Sequence, residues 1–387
     1  MPPRFAKRIT ETSKKNFGMF AKALGREGDL IHLELGMPVE DTPRHIKDAT
    51  IAALNAGHVH YSDLQGIPEL RGAIAAKLKR DNGIDAEPGE IVVTNGLTQA
   101  SFASFLAFLD PGDEVILLSP YYPQHIGKIE LCGAVPVLAP LDAANGFSID
   151  PALIAPKITD RTRMIVLVNP CNPTGRVYSR TELEGLAELA VAHDLMVVAD
   201  EVYHQITFDG VPHVSIATLP GMRARTLTLS AFTKAYAMDG WRLGWIHADA
   251  SLVPGLMKIT TSEVTHVNTF IQHGGVAALT GPEEVLARLV DEDRQRRDLV
   301  VSRMNQMPGV RCPAPEGTIY AWADITGTGL SSQEACDRLL DEAGVVLEAG
   351  SFYGPEGEGH VRVCFGSQTL ERLDVAMDRM SRFFNAL

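Results

Sequence analysis

The sequence predicts an α/β protein: a large domain with a mostly parallel sheet covered by helices on both faces, followed by a smaller α+β domain. Short, almost uninterrupted apolar runs alternate with amphipathic stretches through residues 90–246, which is how strands buried on both faces read. Polar and ionisable residues gather just after several of those runs rather than within them. After about Pro282 the pattern changes, and long charged helical stretches separate isolated strands.

Glu90-Ile-Val-Val-Thr94 reads as the first strand, with a helix over Thr98–Leu109 behind it. Asp113–Leu118 and Arg163–Val168 are the second and third strands. From Glu182 to His193, Leu183, Leu186, Leu189 and Ala190 recur at helical spacing, and Leu195–Ala199 turns strand-like. Thr226–Leu229 and Leu243–Ile246 complete the run. Downstream come a helix pattern over Glu283–Met307, the segment Gly317–Trp322, a helix-like stretch over Ser332–Ala343, a strand over His360–Phe365 and a last helix over Leu370–Phe384. The division expected from this is an N-terminal segment, 1–44, packed with the small domain; a large domain, 45–285; and a small C-terminal domain, 286–387.

The 387 residues are 45% hydrophobic and 21% charged, ample for a large core. A net charge of −13 repels phosphate backbones and anionic lipid. Nucleic acid and membrane are therefore excluded as partners, while a small anion could still enter a local basic pocket. Cys132, Cys171, Cys312, Cys336 and Cys364 lie far apart with no metal-ligand spacing, which predicts reduced thiols, a cytoplasmic location and no metal site. His58, His60, His204 and His266 show no metal spacing either and read as surface or supporting residues. No run approaches the ~18 uninterrupted apolar residues that a membrane span needs.

In an open parallel sheet, ligands sit beyond the carboxyl ends of the strands. Thr94-Asn-Gly-Leu-Thr98 follows the first strand and opens a helix, and Asn169-Pro-Cys-Asn-Pro-Thr-Gly175 follows the third. Asp200-Glu-Val-Tyr203 and Ser230-Ala-Phe-Thr-Lys234 follow the next two. An asparagine, an aspartate, a tyrosine and a lysine thus converge on one rim, which marks a site.

Taken with the residues beyond it, the run Ser230-Ala-Phe-Thr-Lys-Ala-Tyr-Ala-Met-Asp-Gly-Trp-Arg242-Leu-Gly-Trp245 resembles the lysine signature of the class I and II aminotransferases that use pyridoxal 5′-phosphate (PLP), of fold type I, in the bacterial aspartate-aminotransferase-like subgroup. Leu35-Gly-Met-Pro38, Tyr61 with Gly66 and Glu69-Leu-Arg71, Asn169 to Gly175, Asp200 to Tyr203 and Arg362 extend the resemblance in order along nearly the whole chain. It implies a seven-stranded sheet in the large domain, PLP as cofactor, and transfer of an amino group from an amino acid to a 2-keto acid by a ping-pong mechanism. It also implies roles for individual residues. Lys234 forms the Schiff base with PLP and shuttles the proton; Asp200 holds the pyridine nitrogen protonated; Asn172 and Tyr203 donate to the phenolic oxygen; Tyr122 stacks on the ring. The phosphate rests on Gly96, Leu97 and Thr98 with Arg242 as clamp. Arg362 grips the substrate carboxylate, with Asn172 beside it, and Gly36 lies over the substrate. Tyr61 matches a tyrosine that reaches the neighbouring subunit's phosphate, which implies a homodimer with shared sites.

Two departures stand out. A serine common three residues before the lysine is Ala231 here, leaving Ser230 or Thr233 for that phosphate contact. The lysine that aspartate aminotransferases of this subgroup often carry is Thr98, which argues against aspartate as preferred donor. A carbon–sulfur β-lyase, cyclase or oxidase acting on an amino acid is the alternative on the same residues. A regulatory module that only binds an amino acid would lack Lys234 or Asp200.

Overall fold

The computed structural model describes residues 4–13 and 18–387, so part of the 1–44 segment, residues 1–3 and 14–17, lies outside the described residues. Its strands are β1 (Ile31–His32), β2 (Ile91–Thr94), β3 (Glu114–Ser119), β4 (Val135–Pro140), β5 (Thr162–Val168), β6 (Met196–Asp200), β7 (Thr226–Ala231), β8 (Gly244–His247), β9 (Tyr320–Asp324), β10 (Val345–Val346), β11 (Glu348–Ala349) and β12 (His360–Cys364).

Seven strands form the large sheet in the order β2-β8-β7-β6-β5-β3-β4. All neighbouring pairs are parallel except those of β8, which runs antiparallel to β2 and β7. Strand alternation explains why helices cover both faces. Along β3, Ile116 and Leu118 enter one apolar cluster with Leu183 and Leu186 of helix Arg180–Ala192. Val115 and Leu117 enter another with Ala100, Ala103 and Phe105 of helix Leu97–Phe108. Burying each such leucine, isoleucine or phenylalanine is worth about 1.5–3 kcal/mol.

The sequence reading missed β4. This strand is an outer edge, half-exposed, with prolines at 136 and 140; proline lacks the N–H that a central strand needs and is tolerated at an edge. The helices Arg44–Asn55, Pro68–Lys77, Val253–Glu263 and Thr269–Thr280 also went unassigned. The helical stretch predicted over Ser332–Ala343 is an α-helix to Arg338 that widens into a π-turn at Leu339–Ala343.

A second sheet, β11-β12-β9, is antiparallel, with Glu348 opposite Arg362 and Arg362 opposite Trp322. Near the amino end, β1 pairs in parallel with β10. All five cysteines are buried free thiols. Among the described residues no helix is long and apolar enough to cross a membrane, and no cluster of His, Cys, Asp or Glu could hold a metal ion.

Candidate active site

The chain reverses its direction of travel across the sheet between β3 and β5, since β4 lies outside β3 while β5 lies inside it. Such a switch point opens a crevice at the carboxyl ends of the strands. A cleft of about 400 Å³ lies there, and among its walls are Gly36, Leu97, Thr98, Tyr122, Asn172, Asp200, Tyr203, Thr233, Lys234, Arg242 and Arg362. Eleven residues scattered over more than three hundred positions are thereby brought together. Gly96, Ser230 and Tyr61 are not among them, though Gly96 immediately precedes the lining residue Leu97. Ser230 is buried within β7 with its Oγ unpartnered, and Tyr61 is 85% exposed, edge-on to His266.

Gly96 caps helix Leu97–Phe108 with φ 80°, a conformation glycine adopts without strain. A Cβ there would come within 2.6 Å of an Arg242 guanidinium nitrogen, so the arginine lies directly over the helix start. Arg242 itself has φ 54°, and its Nη1 donates to the Asp239 carbonyl at 2.8 Å. A non-glycine residue held at positive φ is strain of the kind that collects at functional sites. The free N–H groups of the helix start and this guanidinium together form a cradle of phosphate character.

Asp200 ends β6, 2% exposed, and accepts from the Val202 N–H at 3.2 Å. His125 lies behind it, Nε2 to Oδ2 3.6 Å. Burial pulls the imidazole below its usual range, against the pull of Asp200. Lys128 donates to Ser101 Oγ at 2.7 Å, and burial lowers its ammonium to about 8. Tyr122 meets the His125 ring edge-on, centroids 5.3 Å apart.

Lys234 projects into the cleft, its Nζ donating to the Gly36 carbonyl and standing 6.0 Å from the Tyr203 ring centroid. A Cβ on Gly36 would collide with the Tyr320 hydroxyl, so only glycine fits there. Arg362 is buried on β12; it donates to Asn172 Oδ1 at 3.0 Å and to the Glu34 carbonyl, and leaves Nε unpartnered. Its guanidinium stacks 4.1 Å from the Tyr320 ring centroid and 4.9 Å from that of Tyr353.

Tyr320, Tyr353, Glu34, Glu348, His125 and Lys128 escaped the sequence reading. Tyr320 lies in the segment Gly317–Trp322, to which the sequence reading assigns no strand, and its polar tip was the available signal. Glu348 accepts from the Met19 N–H at 3.2 Å, and burial raises its carboxyl to about 7. His204, read as a surface or supporting residue, is buried against Lys77, with its Nδ1 2.6 Å from the Glu201 carbonyl.

A nucleophilic amine, a buried carboxylate, an anion cradle and an unpartnered guanidinium nitrogen in one crevice define a site for a phosphorylated cofactor and a carboxylate substrate. Residues 28–380 match the family described as aminotransferase class I and II. The chain is 40% identical to an aspartate aminotransferase of Pyrococcus abyssi, over 92% of this chain and 91% of the relative. It is 39% identical to an aromatic-amino-acid aminotransferase of Thermococcus litoralis, over 94% of both. The crystal structure of an aromatic aminotransferase from Pyrococcus horikoshii superposes with a TM-score of 0.90 at 38% identity, covering 95% of this chain and 98% of that one. The chain belongs to the class I and II aminotransferases. It is a PLP-dependent enzyme that transfers amino groups between amino acids and 2-keto acids, and the lyase, cyclase or oxidase alternative is not favoured.

Proposed function

We propose that Lys234 anchors PLP, and that Asp200, Asn172, Tyr203, Tyr122, Gly96, Leu97, Thr98, Thr233 and Arg242 hold it. The observation that carries this reading is the convergence of Lys234, Asp200, the Gly96–Arg242 cradle and Arg362 on one cleft. When bound, PLP supplies an electron sink for the bonds at the amino acid's Cα. Asp200, buried at the end of β6, would favour a proton on the pyridine nitrogen. Asn172 and Tyr203 would donate to the phenolic oxygen, and Tyr122 would cover one face of the ring. Arg362 binds the substrate α-carboxylate with Asn172 and Gly36 beside it, which orients Cα toward Lys234. The Lys234 amine, projecting into the same cleft, would be the base that takes the proton from Cα. The donor leaves as its keto acid before the acceptor binds, so one cleft serves both halves of the exchange.

The protein acts as a cytoplasmic homodimer, with Tyr61 of each protomer reaching its partner's phosphate site. Ile51, Leu54, Val59, Tyr61 and Leu64 are large, apolar or aromatic, and exposed within one short stretch, which supports a covered face there. Ser230, whose Oγ is buried without a partner in β7, is with Thr233 the candidate for the phosphate contact that Ala231 lacks. The chain divides into the segment 1–44, a large PLP-binding domain, 45–285, and a small domain, 286–387; the β1–β10 pairing supports joining the first to the last.

The cations lining the cleft among the described residues are Lys234, Arg242 and Arg362, while Glu34, Asp200, Asp239 and Glu348 line it too. This charge balance favours a donor with an uncharged side chain over a dicarboxylic one. The test is the absorption spectrum of the PLP-loaded protein with single amino acids and no keto acid. Conversion to the pyridoxamine form with one equivalent of keto acid, fastest for neutral donors, is expected. Aspartate converting fastest would overturn the donor class, and bleaching with ammonia release would overturn transamination.

A further inference from the structure

Tyr320 touches three separate parts of the site. Its hydroxyl stands 2.9 Å from that of Tyr203, with the two rings edge-on at 5.8 Å between centroids. Its ring carries the Arg362 guanidinium at 4.1 Å. Its hydroxyl also fills the space a side chain at Gly36 would take. Tyr320 is 2% exposed and Tyr203 3%, so water does not compete for the bond between them.

The direction of that bond follows from counting hydrogens. A phenol has one hydrogen to donate and lone pairs to accept with. If Tyr203 is to donate to an acceptor in the cleft, its hydrogen is unavailable to Tyr320, and Tyr320 must be the donor. Accepting that bond polarises the Tyr203 hydroxyl and strengthens its own donation, as in any buried chain of hydrogen bonds. We infer that Tyr320 is a positioning residue for the transfer reaction, donating to Tyr203 so that the Tyr203 hydrogen points at the cofactor's phenolic oxygen, while its ring separately seats Arg362. This rests on the assignment of Tyr203 and Arg362 proposed above. The other titratable groups facing the pair are Tyr122 after β3, Tyr353, Arg362 on β12 and Lys234.

The two roles separate by substitution. Tyr320→Phe removes the hydroxyl and keeps the ring; Tyr320→Leu removes both. The readout is the pH midpoint at which the absorption band of bound PLP changes, in the substrate-free full-length protein, together with KM for the donor. A weaker donor leaves the phenolic oxygen's negative charge less supported, so protonation sets in at higher pH. Tyr320→Phe is expected to raise the midpoint by about half a unit or more and to leave KM within about twofold, whereas Tyr320→Leu raises both. In a Tyr203→Phe background, Tyr320→Phe is expected to add no further shift. A Tyr320→Phe protein that titrates like the parent, or a shift that persists without the Tyr203 hydroxyl, overturns the inference alone. A parent that takes up no PLP, or a Tyr203→Phe protein that titrates like it, overturns the assignment of Tyr203 beneath it as well.

Discussion

The two sheets that meet at the cleft build it in different ways. The seven-stranded sheet contributes from beyond its strand ends: Leu97, Tyr122, Asn172, Tyr203, Lys234 and Arg242 follow strands, and Asp200 is the last residue of β6. The three-stranded sheet contributes from within its strands, with Tyr320 opening β9, Glu348 opening β11 and Arg362 at the centre of β12. Residues after strand ends depend on local turn chemistry, each largely on its own. Residues within strands depend on register, and a one-residue slip of β12 would turn Val361 or Val363 into the cleft in place of Arg362. On the assignment proposed above, the cofactor half of the site can therefore fail piece by piece, while the carboxylate-binding half stands or falls together.

Substitutions on the two sides should separate accordingly. Lys234→Ala has the largest expected effect, a fall in kcat of about 10³-fold or more, measured by keto-acid release from the loaded protein. Arg362→Lys keeps the charge and loses the planar fork; KM for the donor should rise about 10–100-fold with the bound-cofactor spectrum unchanged. A spectral change there would break the division between the sheets. Gly96→Ala forces a Cβ against Arg242 at φ 80° and should weaken PLP binding about tenfold, read by fluorescence titration, with little effect on donor KM once the cofactor is saturating.

The smallest expected effect is on stability. The Glu348 carboxyl sits at about 7 in the folded chain, above its unfolded value near ~4.3. The folded state thus binds more protons in that window. Stability from this group is fully present below ~4.3 and is lost as pH rises through about 7. Glu348→Gln removes that dependence. Its stability relative to the parent should grow across the window by about 1–3 kcal/mol and level off above it, as thermal melts at several pH values would show. A flat difference would mean the carboxyl ionises freely.

The same contrast governs what was legible in the chain. The strand-end residues announce themselves because Asn-Pro, Asp-Glu-Val-Tyr and the lysine run are local signals, and the buried strands are short apolar runs. β4 was invisible because edge position and its prolines erase the apolar run. Strands of two residues, such as β10 and β11, have no period to read. Tyr320 was not legible as a neighbour of Tyr203, because 117 residues separate them and only tertiary packing brings the hydroxyls together. Lys77, bridged to Glu201 by Asn82 in the core, escaped notice for the same reason: only tertiary packing brings its distant partner to it.

β2 has a consequence for how the chain is made. It comes first among the strands of the large sheet, yet its sheet partner is β8, roughly 150 residues further along. At ~5–20 residues per second of synthesis, that partner emerges on the order of ten seconds later. For that time the nascent chain carries Ile91-Val-Val-Thr94 with the β8-facing side of its backbone unpaired, and the large sheet closes at this edge only when its antiparallel strand arrives.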